Sequence, residues 1–185
     1  MNKIKTLLCA TLLALTTISA MAKDYQAVAF GVKSDGVTNN TRSIQHAIDY
    51  ISAQGGGRLV FYVGRYLTGS IELKSGVTLV IHEGAVLVAS PSVYDHKGSP
   101  RRALIHAQGQ HDIAITGKGI IDGNSHALIA DIAEQTARGY AAANAEVPAL
   151  VALDRCKGVQ TSGVTLQNYA CPPLQFDHCH NVQVT

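Results

Sequence analysis

The chain has 185 residues, 46% of them hydrophobic and 15% charged, which is enough for one domain with its own apolar core. Lys3 and Lys5 lie in the first 22 residues, where there is no acid, so the rest of the chain holds equal numbers of bases and acids. A near-neutral chain lacks the basic stripe that nucleic-acid binding requires, and no nucleic-acid partner is expected.

Residues 1–22 have the pattern of a secretory signal peptide. The two lysines precede an apolar run from Leu7 to Ile18, and Ala20-Met21-Ala22 then offers a small-x-small cleavage site. The apolar run is too short to span a bilayer. We therefore predict a signal peptide over 1–22, a mature domain over 23–185, no membrane anchor, and a secreted or periplasmic location after cleavage near Ala22.

One amphipathic helix is predicted early in the mature chain, after an apolar segment over Tyr25–Phe30 and an Asp35-Gly36 turn. Asn39, Asn40 and Thr41 are suitable N-cap residues. Apolar residues then recur at helical spacing on one face, and Gln54–Gly57 ends the helix. These apolar residues are Ile44, Ala47, Ile48 and Ile51.

The remaining elements are mostly short strands, rich in Val, Ile and Leu and punctuated by glycine. They are predicted at Arg58–Val63, Tyr66–Ile71, Val77–Ile81, Ala85–Val88, Ala103–Ala107, Ile113–Thr116, Ile120–Ile121, Leu150–Leu153, Val164–Leu166 and Val182–Val184. Leu128, Ile129 and Ile132, followed by an alanine-rich run, predict a second helix inserted between Ser125 and Val147.

A repeat of 23 residues separates several equivalent residues of the C-terminal part. The pairs are Asp154 and Asp177, Cys156 and Cys179, and Val159 and Val182. A period in the low twenties, built of short strands with Gly or Asn at the corners, is typical of a solenoid, and the leucine-asparagine ladder of leucine-rich repeats is missing. We therefore predict an all-β parallel β-helix whose coils stack about 4.8 Å apart, with the first helix covering the open end of the first coil.

Six motifs occur in a characteristic order. They are Phe30-Gly-Val-Lys-Ser-Asp-Gly36, Asn40-Thr41, Gln54-Gly-Gly-Gly57, Tyr66-Leu-Thr-Gly-Ser70, Glu83-Gly-Ala85 and Gly119-Ile-Ile-Asp-Gly123. As a set they resemble the N-terminal half of the family-28 glycoside hydrolases, the polygalacturonases and their relatives. The resemblance covers Tyr25 to the end of the chain. It implies a right-handed parallel β-helix of the pectin-lyase-like superfamily and a hydrolase acting on the α-1,4 galacturonide links of pectin.

The same resemblance predicts that this chain lacks the catalytic machinery. Inverting hydrolysis needs a carboxylic acid for the leaving oxygen and a carboxylate to activate water. The family takes these groups from an Asn-Thr-Asp motif and an Asp-Asp pair, assisted by a Gly-His-Gly histidine and an Arg-Ile-Lys pair. None of the four occurs in this sequence. We assign no catalytic or substrate-binding residue and expect no cofactor.

The last strand, Val182–Thr185, ends without a cap. We expect the C-terminal coils of the family to be missing, the chain to be inactive on its own, and its open coil to be capable of self-association. Two other readings stay open: a polysaccharide lyase or epimerase of the same superfamily, and a non-catalytic carbohydrate-binding β-helix. Whether this chain is itself an enzyme is therefore not decided by its sequence.

Three groups of residues suggest chemistry at first sight. Asp154 and Asp177 are expected side by side, where two corner residues are favoured over a shared proton or a bound cation. In the run from Asp177 to His180 alternate side chains face opposite sides of a strand, so we predict no metal site. Cys156 and Cys179 are expected to stack, and packed thiols are favoured over a disulfide.

Two cationic segments and one turn complete the candidates. Arg101-Arg102 on a loop and the Arg65-Tyr66 pair are interpreted as solvated side chains rather than as a polyuronate site. Asp122-Gly123-Asn124 is interpreted as a tight turn without a functional role.

Overall fold

The structure is a computed structural model, and it describes residues 23–97, 102–141 and 146–185. The predicted signal peptide over 1–22, residues 98–101 and residues 142–145 of the alanine-rich run lie outside the described residues. Among the described residues, neither α-helix is long and apolar enough to cross a bilayer. The elements are β1 (Asp24–Gln26), α1 (Thr41–Ala53), β2 (Gly57–Phe61), β3 (Gly64–Thr68), β4 (Ile71–Glu72), β5 (Val77–Ile81), β6 (Ala85–Ala89), β7 (Ala103–Gln108), β8 (His111–Gly117), β9 (Ile120–Asp122), α2 (Ser125–Ala137), β10 (Ala149–Asp154), β11 (Lys157–Ser162), β12 (Thr165–Gln167), β13 (Leu174–Asp177) and β14 (His180–Val184).

The strands form three parallel sheets that the chain visits in turn. Sheet A has the order β1-β2-β5-β8-β11-β14, sheet B has β3-β6-β9-β12, and sheet C has β4-β7-β10-β13. In the register of sheet A, Val159 lies between Ile113 and Val182. The 23-residue repeat therefore corresponds to one complete coil, and the predicted right-handed parallel β-helix is confirmed.

The core is a column of inward-facing side chains that runs through the coils. In sheet A, Leu59, Leu79 and Ile115 lie on successive rungs and are at most 2% exposed. Burying each such side chain contributes about 1.5–3 kcal/mol. The next rung is Thr161, whose buried hydroxyl has no hydrogen-bond partner among the described residues.

Helix α1 covers the first coil, as predicted. All four apolar residues of its predicted inner face are fully buried, and the helix packs against β2, β4 and β5. Its N-terminus differs in detail from the prediction. The Asn39 side chain accepts the Thr41 backbone N–H at 3.0 Å, whereas Asn40 turns away from the helix and donates to the carbonyls of Lys33, Thr38 and Leu67.

Helix α2 is the predicted inserted helix, and it ends at Ala137. Leu128 is fully buried and joins the apolar core, while Ile129 is half exposed. The helix lies in the connection between sheet B and sheet C.

The strand predictions were incomplete in two respects. The apolar run from Tyr66 to Ile71 forms two strands, because the chain turns a corner at Gly69, where a Cβ would collide with the Asp95 backbone. The strands β1 and β13 were not predicted as strands. Each is short, and β1 is followed at once by a 3-10 helix over Ala27–Phe30.

The three corners of the coil differ in length. The connections from sheet A to sheet B, here called the A-to-B corner, are residues 62–63, 82–84, 118–119 and 163–164. Those from sheet C to sheet A, the C-to-A corner, are 73–76, 109–110, 155–156 and 178–179. Those from sheet B to sheet C are 69–70, 90–102, 123–148 and 168–173. Nearly all the variation in coil length is therefore at the last of these corners.

Candidate functional site

Asp122 is the buried carboxylate on the outer face of sheet B. It ends β9, is 6% exposed, and lies opposite Gln167 of β12. Its Oδ1 accepts the Asn124 backbone N–H at 2.9 Å and the Asn168 amide at 3.0 Å, and its Oδ2 accepts the Gln167 amide at 3.0 Å. Three donors from its own chain therefore occupy this carboxylate.

The predicted turn at Asp122 is present, with Asn124 in the left-handed region at φ 46°. The turn also anchors a hydrogen-bond network that sequence reasoning did not predict, because Gln167 is 45 residues away. In this arrangement the hydrogen bonds of Asp122 connect two successive coils, and both of its carboxylate oxygens accept from groups of the chain itself.

A second polar cluster lies in the loop 90–97 beside sheet B. The Ser90 hydroxyl donates to Asp95 Oδ2 at 2.5 Å, and Asn39 Nδ2 donates to the same oxygen at 2.9 Å. The His96 ring is 1% exposed, and its Nε2 donates to the Ser90 carbonyl at 2.9 Å. A nucleophilic serine is activated by an adjacent general base, most often a histidine, but here the Ser90 hydroxyl donates to a carboxylate that also accepts from Asn39, and His96 contacts the Ser90 carbonyl instead of its hydroxyl. The cluster orders the loop.

The electrostatics of His96 follow from its position. Burial lowers the pKa of His96, and the Ser90 carbonyl and Asp95 oppose this effect only in part. The ring is therefore neutral near pH 7, with its proton on Nε2. Within the described residues its Nδ1 has no hydrogen-bond partner.

Asp154 and Asp177 lie opposite each other on β10 and β13, as their 23-residue spacing predicts. Asp154 Oδ2 accepts from Gln108 Nε2 at 3.0 Å and pairs with Arg155 at 3.1 Å, while Oδ1 is 3.6 Å from His178 Nδ1. The hydrogen bond from Gln108, helped by Arg155 and His178, lowers the pKa of Asp154. An ionised carboxylate surrounded by these donors is a corner residue, the role favoured from sequence.

The run from Asp177 to His180 does not converge on one point. His178 is in the left-handed region at φ 53°, His180 begins β14 on the exposed side, and Cys179 packs against the core. In the part of the chain that the structure describes, no three His, Cys, Asp or Glu side chains are grouped so that they could hold a metal ion.

Cys156 and Cys179 stack, and both are free thiols. The Cys156 thiol donates to the Asp154 carbonyl at 3.4 Å, and the Cys179 thiol donates to the Leu153 carbonyl at 3.5 Å. Burial, with a smaller effect of the neighbouring Cys179, raises the pKa of Cys156. This is the packed arrangement favoured from sequence.

The Arg65-Tyr66 pair divides between two environments. Arg65 is exposed beside the Asp35-Gly36 turn, whereas Tyr66 is 6% exposed and packs edge-on against Phe61 at 5.2 Å. The interpretation of Tyr66 as solvated was therefore wrong, because alternate residues of a strand face opposite sides. Arg102 is exposed, as expected, and Arg101 lies outside the described residues.

Sequence reasoning missed a stack of side chains at the A-to-B corner. The Tyr62 and His82 rings are parallel to within 11°, with their centroids 5.0 Å apart. Lys118 occupies the same corner position in the next coil, because Phe61 pairs with Ile81 and Ile81 with Gly117. The spacings from Tyr62 to His82 and on to Lys118 differ, so no period in the sequence indicates that they form one row.

Known proteins resemble both the sequence and the fold. No family model matches the sequence. The chain is 34% identical to an exo-poly-α-D-galacturonosidase of Dickeya chrysanthemi over 138 residues, and 34% identical to a probable polygalacturonase of Vitis vinifera over 127 residues. These matches cover 65% and 58% of this chain, but 23% and 26% of the two relatives. The chain thus spans about a quarter of the length of these curated relatives.

Solved structures extend the resemblance to most of the chain. A candidate glycosyl hydrolase of Parabacteroides merdae is 58% identical with a TM-score of 0.84, and the match covers 88% of this chain and 72% of that one. The family-28 exopolygalacturonase of Yersinia enterocolitica is 25% identical with a TM-score of 0.73, and covers 87% of this chain and 38% of that one. The chain therefore belongs to the same family as the candidate glycosyl hydrolase of Parabacteroides merdae, and its polygalacturonase-like, pectin-lyase-like fold resembles the N-terminal part of the polygalacturonases.

Proposed function

We propose that the protein is a secreted glycoside hydrolase that acts on a pectin-type polysaccharide, and that these 185 residues supply coils of its β-helix without its catalytic pair. The observation that carries the proposal is the combination of the stacked parallel coils with 34% identity to an exo-poly-α-D-galacturonosidase. A secreted location rests on the pattern of residues 1–22, which lie outside the described residues.

The geometry supports the absence of activity in this stretch. An inverting hydrolase separates its two carboxyl groups by about 6.5–9.5 Å and leaves room for a water between them. On the side of sheet B, Asp122 accepts three hydrogen bonds from the chain, and Asp95 accepts two. Asp131 of α2 accepts the Val93 backbone N–H at 2.7 Å and the Gln135 amide at 3.1 Å. Each of these three carboxylates therefore accepts hydrogen bonds that hold its own chain in place.

The role of this stretch is therefore to provide a rigid, continuous surface along which a polymer can lie. Stacked coils keep their outer side chains at a constant spacing of about 4.8 Å, because every rung is fixed by backbone hydrogen bonds to the next. A surface of this kind suits a linear polysaccharide better than a small ligand, which requires a concave pocket.

A non-catalytic carbohydrate-binding protein is the second candidate. The engaged carboxylates of Asp122, Asp95 and Asp131 favour it, since binding of a polysaccharide does not require a free acid and base.

The test is to express the full chain with its own leader, purify it, and measure both binding and turnover of polygalacturonate. We expect retardation in an affinity gel that contains polygalacturonate, and no release of reducing ends above the buffer rate. An active polygalacturonase serves as the positive control. Reproducible turnover by the pure chain would contradict the proposed inactivity, and absence of retardation would contradict the proposed polysaccharide.

A further inference from the structure

The A-to-B corner carries three exposed side chains in one row. Tyr62, His82 and Lys118 follow three register-paired positions at the ends of β2, β5 and β8. The backbone confirms the alignment, because the N–H of His82 donates to the Phe61 carbonyl and that of Lys118 to the Ile81 carbonyl, each at 3.0 Å. The row thus contributes one side chain for each of three successive coils, about 4.8 Å apart.

Each member of the row carries a polar hydrogen that makes no hydrogen bond to another residue of the part that the structure describes. Among the described residues, neither the Tyr62 hydroxyl, the His82 ring nor the Lys118 ammonium group has a side-chain hydrogen bond or an ion pair with a partner at this corner. All three residues are exposed, with Tyr62 at 48%. A row of unengaged donors on a rigid surface is ready to bind an acceptor from outside.

The C-to-A corner shows that this is not a general property of the solenoid. There the donors of Gln108, Arg155 and His178 are directed at the Asp154 carboxylate. The acid within the A-to-B corner is Glu83, which follows His82. Asp24 also lies near the row, but it is paired with Arg58 at 2.5 Å; the hydrogen bond from Arg58 is the main cause that lowers the pKa of Asp24, and the charge of His82 is a minor one. The donors of the A-to-B corner therefore lack a partner comparable to Asp154.

The parallel stack of Tyr62 and His82 also fixes the direction of these donors. Two rings in contact at 5.0 Å restrict each other's rotation, so less conformational entropy is lost when a ligand binds. Lys118 adds a positive charge at the end of the row.

We propose that Tyr62, His82 and Lys118 form a binding row for an anionic polysaccharide that lies parallel to the solenoid axis. A linear polyuronate presents hydroxyls and a carboxylate on each sugar ring, at intervals of one ring length, which is similar to the spacing of the coils. Hydroxyl oxygens accept from Tyr62 and His82, and a uronate carboxylate pairs with Lys118. The choice of a polyuronate rests on the proposed function, whereas the row itself rests on the geometry.

The experiment compares the affinity of the full chain and its variants for polygalacturonate by affinity electrophoresis and calorimetry. The variants are Tyr62→Phe, His82→Gln, Lys118→Gln and the triple variant. Tyr50→Phe on α1 and Lys157→Gln at the start of β11 are the matched controls, because both residues are exposed but lie outside the row. The thermal midpoint of each variant is measured first, and no change is expected for such exposed side chains.

We expect each single variant to weaken binding by about 2–5-fold, the range for exposed polar contacts, and the triple variant by about 20-fold or more. Glu83→Gln is expected to tighten binding slightly, because it removes the negative charge beside the row. Added salt is expected to weaken binding by the native chain more than by Lys118→Gln. A neutral dextran is the polymer control and is expected to bind no better to the native chain than to the triple variant.

Each result decides between the two proposals. If the native chain and the triple variant bind polygalacturonate equally well, the proposed binding row is wrong, but the proposed function is not affected. If the native chain has no affinity for polygalacturonate, both the row and the proposed polysaccharide are wrong. If the controls lose as much affinity as the row variants, the binding is not located at this corner and the row is wrong.

Discussion

Cys156 and Cys179 occupy the same corner position of successive coils, directly before β11 and β14, and both thiols are free. Neighbouring strands lie about 4.8 Å apart, which is within the Cα separation that a disulfide spans. Cys156 is fully buried, whereas Cys179 is half-buried.

We predict that an added small-molecule disulfide converts this pair into a disulfide. The more accessible Cys179 thiolate attacks the reagent and releases one small thiol, and Cys156 then displaces the second, so two protein thiols are oxidised as the reagent is reduced. Closure of a loop of this size stabilises the fold by roughly 3 kcal/mol in the chain-entropy model. Mass spectrometry should show the loss of two hydrogens and a linked peptide pair. Cys171→Ser should still form the bridge, and a Cys179→Ser variant that formed an equivalent bridge would contradict the pairing.

Removal of the Asp122 carboxylate is predicted to destabilise the fold. Asp122→Ala leaves the part-buried donors of Asn124, Gln167 and Asn168 without their acceptor, and we expect a loss of about 1–2 kcal/mol in the free energy of unfolding. Urea unfolding measures this loss. Asp49→Ala on the exposed side of α1 is the control and should change stability by less than about 0.5 kcal/mol. Equal effects of the two substitutions would show that the network contributes nothing.

Acidification is predicted to weaken the fold through His96. Its pKa is lowered in the folded state by burial, so the unfolded chain binds a proton that the folded chain does not. Stability therefore falls as pH drops below the unfolded value of about 6.5, by up to about 1.4 kcal/mol per pH unit, and the loss ends once the pH is below the folded pKa. Burial lowers the pKa of His106 as well, so His106 adds to the same slope.

The comparison of native chain and His96→Gln isolates the contribution of His96. We expect the variant to be less stable at pH 7.5 but to show a shallower decrease between pH 7.5 and 5.5, measured by urea unfolding at each pH. His46→Gln on the exposed side of α1 serves as the control for the same substitution at another position. An unchanged slope in His96→Gln would contradict the assignment.

Two glycines with positive φ are predicted to respond differently to substitution. At Gly117, φ is 124° and a Cβ would overlap the Ile81 carbonyl oxygen, which cannot move without breaking the sheet. At Gly158, φ is 66° and a Cβ would meet only the flexible end of Asp112 at 2.8 Å. We expect Gly117→Ala to cost more than about 2 kcal/mol, and Gly158→Asn less than about 1 kcal/mol, because asparagine tolerates this backbone region. Thermal unfolding of both variants tests the difference, and similar losses would contradict it.

Sequence reasoning predicted the solenoid because the spacing of Cys156 and Cys179 measures one coil directly. It also predicted the face of α1, since Ile44, Ile48 and Ile51 follow the helical period. Both features depend on residues that are close in sequence or regularly spaced, and such patterns survive in a single sequence.

The polar contacts could not be predicted in the same way. The contact between Asp122 and Gln167 can be predicted only when the length of every intervening corner is known. The same holds for the contact between Tyr62 and His82. The insertion of α2 changes the spacing between coils, so equivalent positions are not separated by one constant number. Tyr66 was misassigned for a simpler reason, because its burial depends on which side of β3 faces the core.

The unequal corners described above determine where this protein tolerates change. The connections from sheet A to sheet B and from sheet C to sheet A are nearly constant, whereas those from sheet B to sheet C range from residues 69–70 to residues 123–148. New segments can be grafted at that single edge without disturbing the inter-coil pairing, and each one adds to a wall that borders sheet B. We expect insertions, both natural and engineered, to concentrate at these connections and to leave the strand pairing between coils unchanged.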